Sequence, residues 1–234
     1  MAKSESFNIG IIVQARMGSV RCPGKVLHEV DGKPLLQYLI ERLQHCKFEN
    51  TIVIATSGEE DDDPVAAFCE KMGVACHRGP LLDVAARFKQ VLDRFRFDVF
   101  VRISGDSPLL DPRLVDEAVD VFLNNDFEIV TNVLPRTYPS GQSVEVIRSD
   151  IFIQHYPLMQ DERDLEHVTR FFYENRENFN IFNLASKDDY GDIHLSVDTF
   201  QDMKAFETVV ANMDKPHLEY GLQDIHRLYR DLVH

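Results

Sequence analysis

Ile9-Gly10-Ile11-Ile12-Val13-Gln14-Ala15-Arg16-Met17-Gly18-Ser19-Val20-Arg21-Cys22-Pro23-Gly24-Lys25 is the stretch on which the fold turns. Residues 9–13 make an apolar, mostly β-branched run of strand length, which reads as a buried strand. Arg16, Arg21 and Lys25 then arrive with Gly18, Pro23 and Gly24 and without one acidic residue, in a chain whose formal net charge is −14. A basic, glycine-punctuated loop closing a first strand is suited to polyphosphate. Glycine lets the backbone approach the anion, and the Arg and Lys side chains neutralise it.

Outward from that loop, strand-like and helix-like periods alternate. The spacing of apolar residues predicts helices over 34–43, 64–72 (stopped by Gly73), 83–95 and 112–123, with strands over 51–56, 74–76, 98–103 and 128–131. Such alternation predicts an α/β fold: a three-layer sandwich whose mostly parallel sheet binds ligand at the carboxyl ends of its strands. The basic loop and Asp106, in Ser104-Gly105-Asp106-Ser107-Pro108, both fall on that edge. Beyond Asn132 the pattern changes. Residues 134–141 are turn-rich, 143–147 alternate as a strand, and helices are expected over 150–159 and 165–175. Strands over 180–184 and 194–197 and helices over 200–212 and 222–233 complete the chain. No repeat or low-complexity linker divides it, so residues 1–234 read as a single domain with an inserted subregion over about 133–180.

Composition narrows the class. An excess of 39 carboxylates over 25 Lys plus Arg argues against general nucleic-acid binding, while leaving room for a local basic pocket. No apolar stretch is long enough to cross a bilayer, and residues 1–6 lack a signal-peptide pattern, so a cytoplasmic protein without membrane attachment is expected. Cys22, Cys46, Cys69 and Cys76 form no C-x-x-C pair and read as reduced thiols.

Other motifs are weighed against plainer readings. A Walker A loop is excluded, because five residues separate Gly18 from Gly24 and Val26 follows Lys25 where Ser or Thr is required. No G-x-G-x-x-G follows the first strand. Asp106, presented in Gly-Asp-x-Pro, can bind a divalent cation that bridges phosphates, and a turn-capping Asp is the competing account. Asp111, just before Pro112, reads as a helix cap. The run Glu59-Glu60-Asp61-Asp62-Asp63 reads as a solvated helix entry favoured by the helix dipole, in preference to an Asp-x-Asp metal site. Phe171, Phe172 and Tyr173 read as core or a subunit contact.

The basic run followed by Gly32-Lys33-Pro34-Leu35 resembles the sugar-nucleotidyltransferases, specifically the sugar-acid cytidylyltransferases (CMP-sugar synthetases) of the spore-coat polysaccharide type. Residues 102–109, Tyr138-Pro139-Ser140-Gly141, Glu166-His167-Val168-Thr169 and Ser196-Val197-Asp198-Thr199 match in the family's order across almost the whole chain. Val20, Cys22 and Ser107 depart from the family pattern without removing a charge. The resemblance implies a GT-A-like nucleotidyltransferase fold with an inserted dimerisation subregion. The implied reaction is transfer of CMP from CTP to a sugar-acid hydroxyl with release of pyrophosphate, for surface polysaccharide. It further implies Lys25, Arg16 and Asp106 as catalytic residues, and Ala15, Arg16, Gly18, Ser19, Arg21, Lys25, Arg102 and Asp106 around the nucleotide. Tyr138, Gly141, Glu166 and His167 fall to the acceptor, Asp106 and Asp198 to Mg²⁺, and a homodimer is expected. Two alternatives stand beside it: a metal-dependent glycosyltransferase using a nucleotide-sugar donor, and a non-catalytic nucleotide-binding protein.

Overall fold

The computed structural model describes residues 7–188, 190 and 193–233, so the leader reading at residues 1–6 lies outside the described residues. In chain order the elements are β1 (Ile9–Gln14), the small hairpin β2 (Glu29–Val30) and β3 (Lys33–Pro34), α1 (Leu35–Leu43), β4 (Asn50–Ser57), α2 (Asp63–Met72), β5 (Ala75–Gly79), α3 (Val84–Phe95) and β6 (Val99–Ser104). There follow α4 (Pro112–Leu123), β7 (Ile129–Thr131), β8 (Glu145–Arg148), α5 (Ser149–His155), α6 (Glu162–His167), α7 (Arg170–Glu174), β9 (Ile181–Asn183), α8 (Phe200–Ala211) and α9 (Leu222–Val233).

Among the described residues the main sheet has seven strands in the order β5-β4-β1-β6-β8-β7-β9. All neighbours pair in parallel except β8, which is antiparallel to both β6 and β7. Strand β1 is interior, flanked by β4 and β6, and Ile11, Ile12 and Val13 are wholly buried, as a parallel strand covered on both faces requires. From β1 the chain winds outward through β4 and β5, then crosses back to lay β6 on β1's other side. The order therefore reverses between β1 and β6, and the crevice at their carboxyl ends is the expected ligand position.

Two apolar layers hold the sheet. Leu36, Leu39 and Ile40 of α1, Val65 and Cys69 of α2, and Val115 and Val119 of α4 cover one face. Val84, Phe88 and Val91 of α3, Phe152 of α5 and Phe172 of α7 cover the other. A third cluster joins Leu35, Tyr38 and Leu109 to Val197, Met203, Phe206 and Ile225, and so docks the C-terminal segment against the front of the domain. Among the described residues no helix is long and apolar enough to cross a membrane.

Helices α4 and α9 have the expected bounds, and Gly73 ends α2 in the left-handed region at φ 66°. Phe172 is core, as expected of the aromatic run. Two expectations fail. The single helix over 165–175 is broken at Val168, a buried β-branched residue at φ +60°, where packing overrides helix propensity. The strand over 194–197 is an extended segment with one bridge, Ser140 to His194. Its amides are used by loops: Leu195 N–H donates to Ser140 O and Val197 N–H to Asp106 O, each at 2.8 Å. The 133–180 stretch places β8 inside the main sheet, between β6 and β7.

Two glycines permit close approaches at the crevice. A Cβ on Gly105 would lie 2.8 Å from the carbonyl oxygen of Gln14, so glycine lets the ends of β1 and β6 meet. Gly141, at φ +88°, lies flat against the backbone of Leu195 and Ser196, which a Cβ would approach to 2.5 Å. Gly141→Ala is expected to cost about 1–3 kcal/mol of stability through this strain and clash, measured by urea denaturation.

Candidate active site

The basic loop is shaped by its own backbone and one buried acid. Ser19 and Gly24 N–H both donate to Met17 O, at 2.8 and 2.9 Å, folding the loop around one carbonyl. Met17 N–H donates to Asp62 Oδ1 at 2.6 Å, and Asp62 also accepts from Ser57 N–H at 3.1 Å. Asp62 is 2% exposed, so the solvated reading of residues 59–63 is corrected at this position: the 3₁₀ turn Glu60–Asp62 sends Asp62 inward while Asp61 and Asp63 face solvent. Gly24, left-handed at φ 73°, then turns the chain into a 3₁₀ turn, Lys25–Leu27. That turn aims Lys25 back across the loop.

Lys25 is the hub. Its residue is 8% exposed, and its ammonium donates to Asp106 Oδ2 and Asp198 Oδ1, each at 3.2 Å. Arg21 Nη2 lies 3.1 Å from the same Asp198 oxygen. The remaining carboxylate oxygens are also engaged: Ser107 Oγ lies 3.2 Å from Asp106 Oδ1, while Ser196 Oγ and His194 Nε2 lie 3.3 and 3.4 Å from Asp198 Oδ2. Burial works to raise the Asp198 carboxyl, but the Lys25 ammonium and then the Arg21 guanidinium outweigh it and hold the group below the ordinary carboxylate range.

Arg21, Lys25, Asp106 and Asp198 line a cleft of about 290 Å³ at the carboxyl ends of β1 and β6, bounded also by Gln14, Ala15, Arg16, Ser19 and Gly105. Asp106 and Asp198, 92 positions apart in sequence, thus face one cleft. Two carboxylates offer hard oxygen donors, and among the described residues no cluster of three or more His, Cys, Asp or Glu side chains surrounds a common cation position. That donor set fits a divalent cation that takes one or two carboxylates and completes its shell with phosphate and water.

The other expected residues are placed as follows. Arg16 borders the cleft and bridges to Glu166 Oε1 at 3.5 Å. Gly18 stands in open space. Arg102 is not on the cleft wall; it pairs with Glu145, donates to Thr169 Oγ1 at 3.3 Å, and meets the cleft only through Gln14, to whose Oε1 it donates at 3.2 Å. Tyr173 also donates to Glu145, completing a buried polar network. His167 is exposed at the end of α6. Tyr138 lines a second cleft, of about 540 Å³, with Arg113, Glu117 and Lys187. Gly141 backs the segment that carries Asp198. Asp111 is the cap it was expected to be, accepting from Arg113 N–H at 3.0 Å.

Sequence reasoning missed Asp62, His194 and Asp202. Asp202 had a legible signal, the Thr199-x-x-Asp202 capping box. Its carboxylate accepts from Asp198 and Thr199 N–H at 3.0 and 2.8 Å and so fixes Asp198 at the start of α8.

With that geometry in view, comparison with known proteins is decisive. A cytidylyltransferase family model matches residues 10–231. The chain belongs to the cytidylyltransferase family. Among curated relatives, the spore coat polysaccharide biosynthesis protein SpsF of Bacillus subtilis is 30% identical over 86% of this chain and 86% of its own. The 3-deoxy-manno-octulosonate cytidylyltransferase of Pelobacter propionicus is 32% identical over 50% of this chain and 46% of its own. A solved cytidylyltransferase from Leptospira borgpetersenii superposes with a TM-score of 0.92, at 28% identity, over 97% of this chain and 95% of that one. The protein is accordingly a nucleotidyltransferase, and its three-layer α/β architecture is that of the family.

Because the folded state holds the Asp198 carboxyl low, that group stabilises the fold above the ordinary carboxylate range. The contribution is lost as pH falls through its folded value. Asp198→Asn is expected to melt below the unsubstituted protein at neutral pH, with the gap closing as pH falls below the ordinary carboxylate range, in thermal denaturation across pH.

Proposed function

We propose that this cytidylyltransferase transfers CMP from CTP to a hydroxyl of a sugar acid, releasing pyrophosphate, in the synthesis of a surface polysaccharide. The observation that carries the reading is the meeting of Arg16, Arg21, Lys25, Asp106 and Asp198 around one cleft at the switch point. The names of the spore-coat relative and of the octulosonate cytidylyltransferase supply the polysaccharide and the sugar acid.

In this reading Arg16, Arg21 and Lys25 bind the triphosphate, and Lys25 neutralises the charge that grows on departing pyrophosphate. The loop backbone at Ala15, Gly18 and Ser19 takes the ribose and base. Asp106 and Asp198 would hold Mg²⁺, which would supply positive charge at the α-phosphate and lower the cost of deprotonating the acceptor hydroxyl. In-line attack by that hydroxyl breaks the α–β phosphoanhydride and forms the sugar–phosphate bond, so positioning and charge neutralisation do most of the work. Glu166 and His167 border the acceptor on the Arg16 side, and Gly141 backs the segment that carries Asp198, while Tyr138 lines the second cleft and stands apart from this pocket. Arg102 supports them from behind through Glu145 and Thr169. A triphosphate gives three cations more to neutralise than the diphosphate of a nucleotide sugar, which favours this reading over a glycosyltransferase.

Each of the four nucleoside triphosphates, incubated with a panel of acidic sugars, is the direct test. Pyrophosphate is expected with CTP and at least one sugar acid, and none from any combination removes the proposal. Asp106→Ala is expected to lower turnover more than about 100-fold, since metal-assisted charge stabilisation is worth several kcal/mol, and near-normal turnover excludes its metal role. The enzyme is further proposed to act in the cytoplasm as one domain, paired as a homodimer through part of residues 133–180. A monomeric mass by light scattering removes the dimer.

A further inference from the structure

Lys25 occupies the oxygens that a cation would need. Its ammonium sits on Asp106 Oδ2 and Asp198 Oδ1, and Arg21 adds a second positive charge at the latter. The outer oxygens are held by Ser107, Ser196 and His194, so none of the four carboxylate oxygens lacks a partner. The two acids do not depend on the lysine for their positions. Val197 N–H to Asp106 O at 2.8 Å ties their backbones together, and Asp202 fixes Asp198 through its own N–H. The acid pair is therefore a preformed site with an internal cation resting in it.

We infer that Lys25 is an exclusion gate: its ammonium keeps a free divalent cation off Asp106 and Asp198 until a triphosphate draws the ammonium away. The inference rests on the nucleotide reading given above and adds an order to it. A second cation cannot share those oxygens while the ammonium is in place, because the like charges repel across a few ångströms. A triphosphate offers the ammonium and Arg21 new anionic partners on the same cleft wall. The carboxylates are then vacated as the nucleotide arrives. Metal and nucleotide consequently bind with positive coupling, and by linkage each tightens the other by the same factor.

The test is Mn²⁺ uptake by the full chain, followed by electron paramagnetic resonance and calorimetry, with and without a non-hydrolysable CTP analogue. The unsubstituted protein is expected to bind Mn²⁺ at least about tenfold more tightly with the analogue present. Lys25→Met is expected to bind free Mn²⁺ about tenfold more tightly than the unsubstituted protein and to keep only the smaller coupling that phosphate ligation of the ion supplies. Lys25→Arg, which keeps the charge, is expected to go on excluding the ion. If Lys25→Met loses the folded circular-dichroism spectrum, Lys25→Gln carries the same reading, since it removes the charge and keeps a donor. Free Mn²⁺ binding Lys25→Met no better than the unsubstituted protein, while analogue-dependent uptake persists, overturns the gate and leaves the nucleotide reading standing. If the unsubstituted protein takes up the analogue but no Mn²⁺ with it, the metal role of the aspartates and the gate fall together. If the analogue itself does not bind, the nucleotide reading fails as well.

Discussion

A lysine ammonium buried at the carboxyl edge of the sheet must be paired, because an isolated buried charge costs several kcal/mol even after relaxation. Lys25 is 8% exposed and finds two carboxylates. To supply them the chain brings the end of β6 and the entry to α8 to the same point. The third apolar cluster, the Val197 to Asp106 backbone bond and the Gly141 contact all serve that convergence. The pairing is reciprocal. Without Lys25 and Arg21, two carboxylates would line a small cleft with no cation between them.

The frame was largely legible because buried parallel strands and amphipathic helices leave different periods in the sequence. β1 reads as an apolar run since both its faces are covered, and α3 reads as a stripe since one of its faces is. The caps were legible for local reasons: Gly73 must be left-handed, and Asp111 precedes a proline. The direction and neighbours of β8 were not. Alternation in residues 143–147 announces a strand, but lateral order and sense depend on which strands have open edges. Val168 is a similar case, since its helix-like surroundings give no sign of a left-handed residue whose cost is met by burial in the core.

Side-chain direction limits the reading of the site in the same way. The acidic run at residues 59–63 is solvated at Asp61 and Asp63, and only the phase of a 3₁₀ turn sends Asp62 inward to hold Met17. Asp198 has two places at once: it directly precedes the helix cap Thr199, and it also faces the Lys25 cleft. Arg102 is the opposite case. It adjoins the Gly-Asp-x-Pro turn in sequence, yet its guanidinium is taken up by Glu145 and Thr169 and meets the cleft only through Gln14.

An acidic chain with a basic mouth has to keep that mouth ordered when no anion is bound. Here the cations are spread over internal partners: Arg16 on Glu166, Arg21 on Asp198, and Lys25 on both aspartates. Behind them Arg87, 2% exposed, donates to Ala55 O at 3.4 Å and leaves its Nε unpartnered, and burial, with Arg16 nearby, brings its guanidinium down to about 10. The same Ala55 carbonyl accepts from Ala15 N–H at 3.2 Å, so Arg87 and the loop share one anchor. Arg87 thus keeps one buried donor without a partner beside the carbonyl that anchors the start of the loop. An anion entering the cleft meets cations already placed. It has to replace weak ion pairs such as Arg16–Glu166, and it does not have to fold the loop around itself. Preorganisation of that kind lowers the entropic cost of binding, and it follows from the same pairing that keeps Lys25 buried.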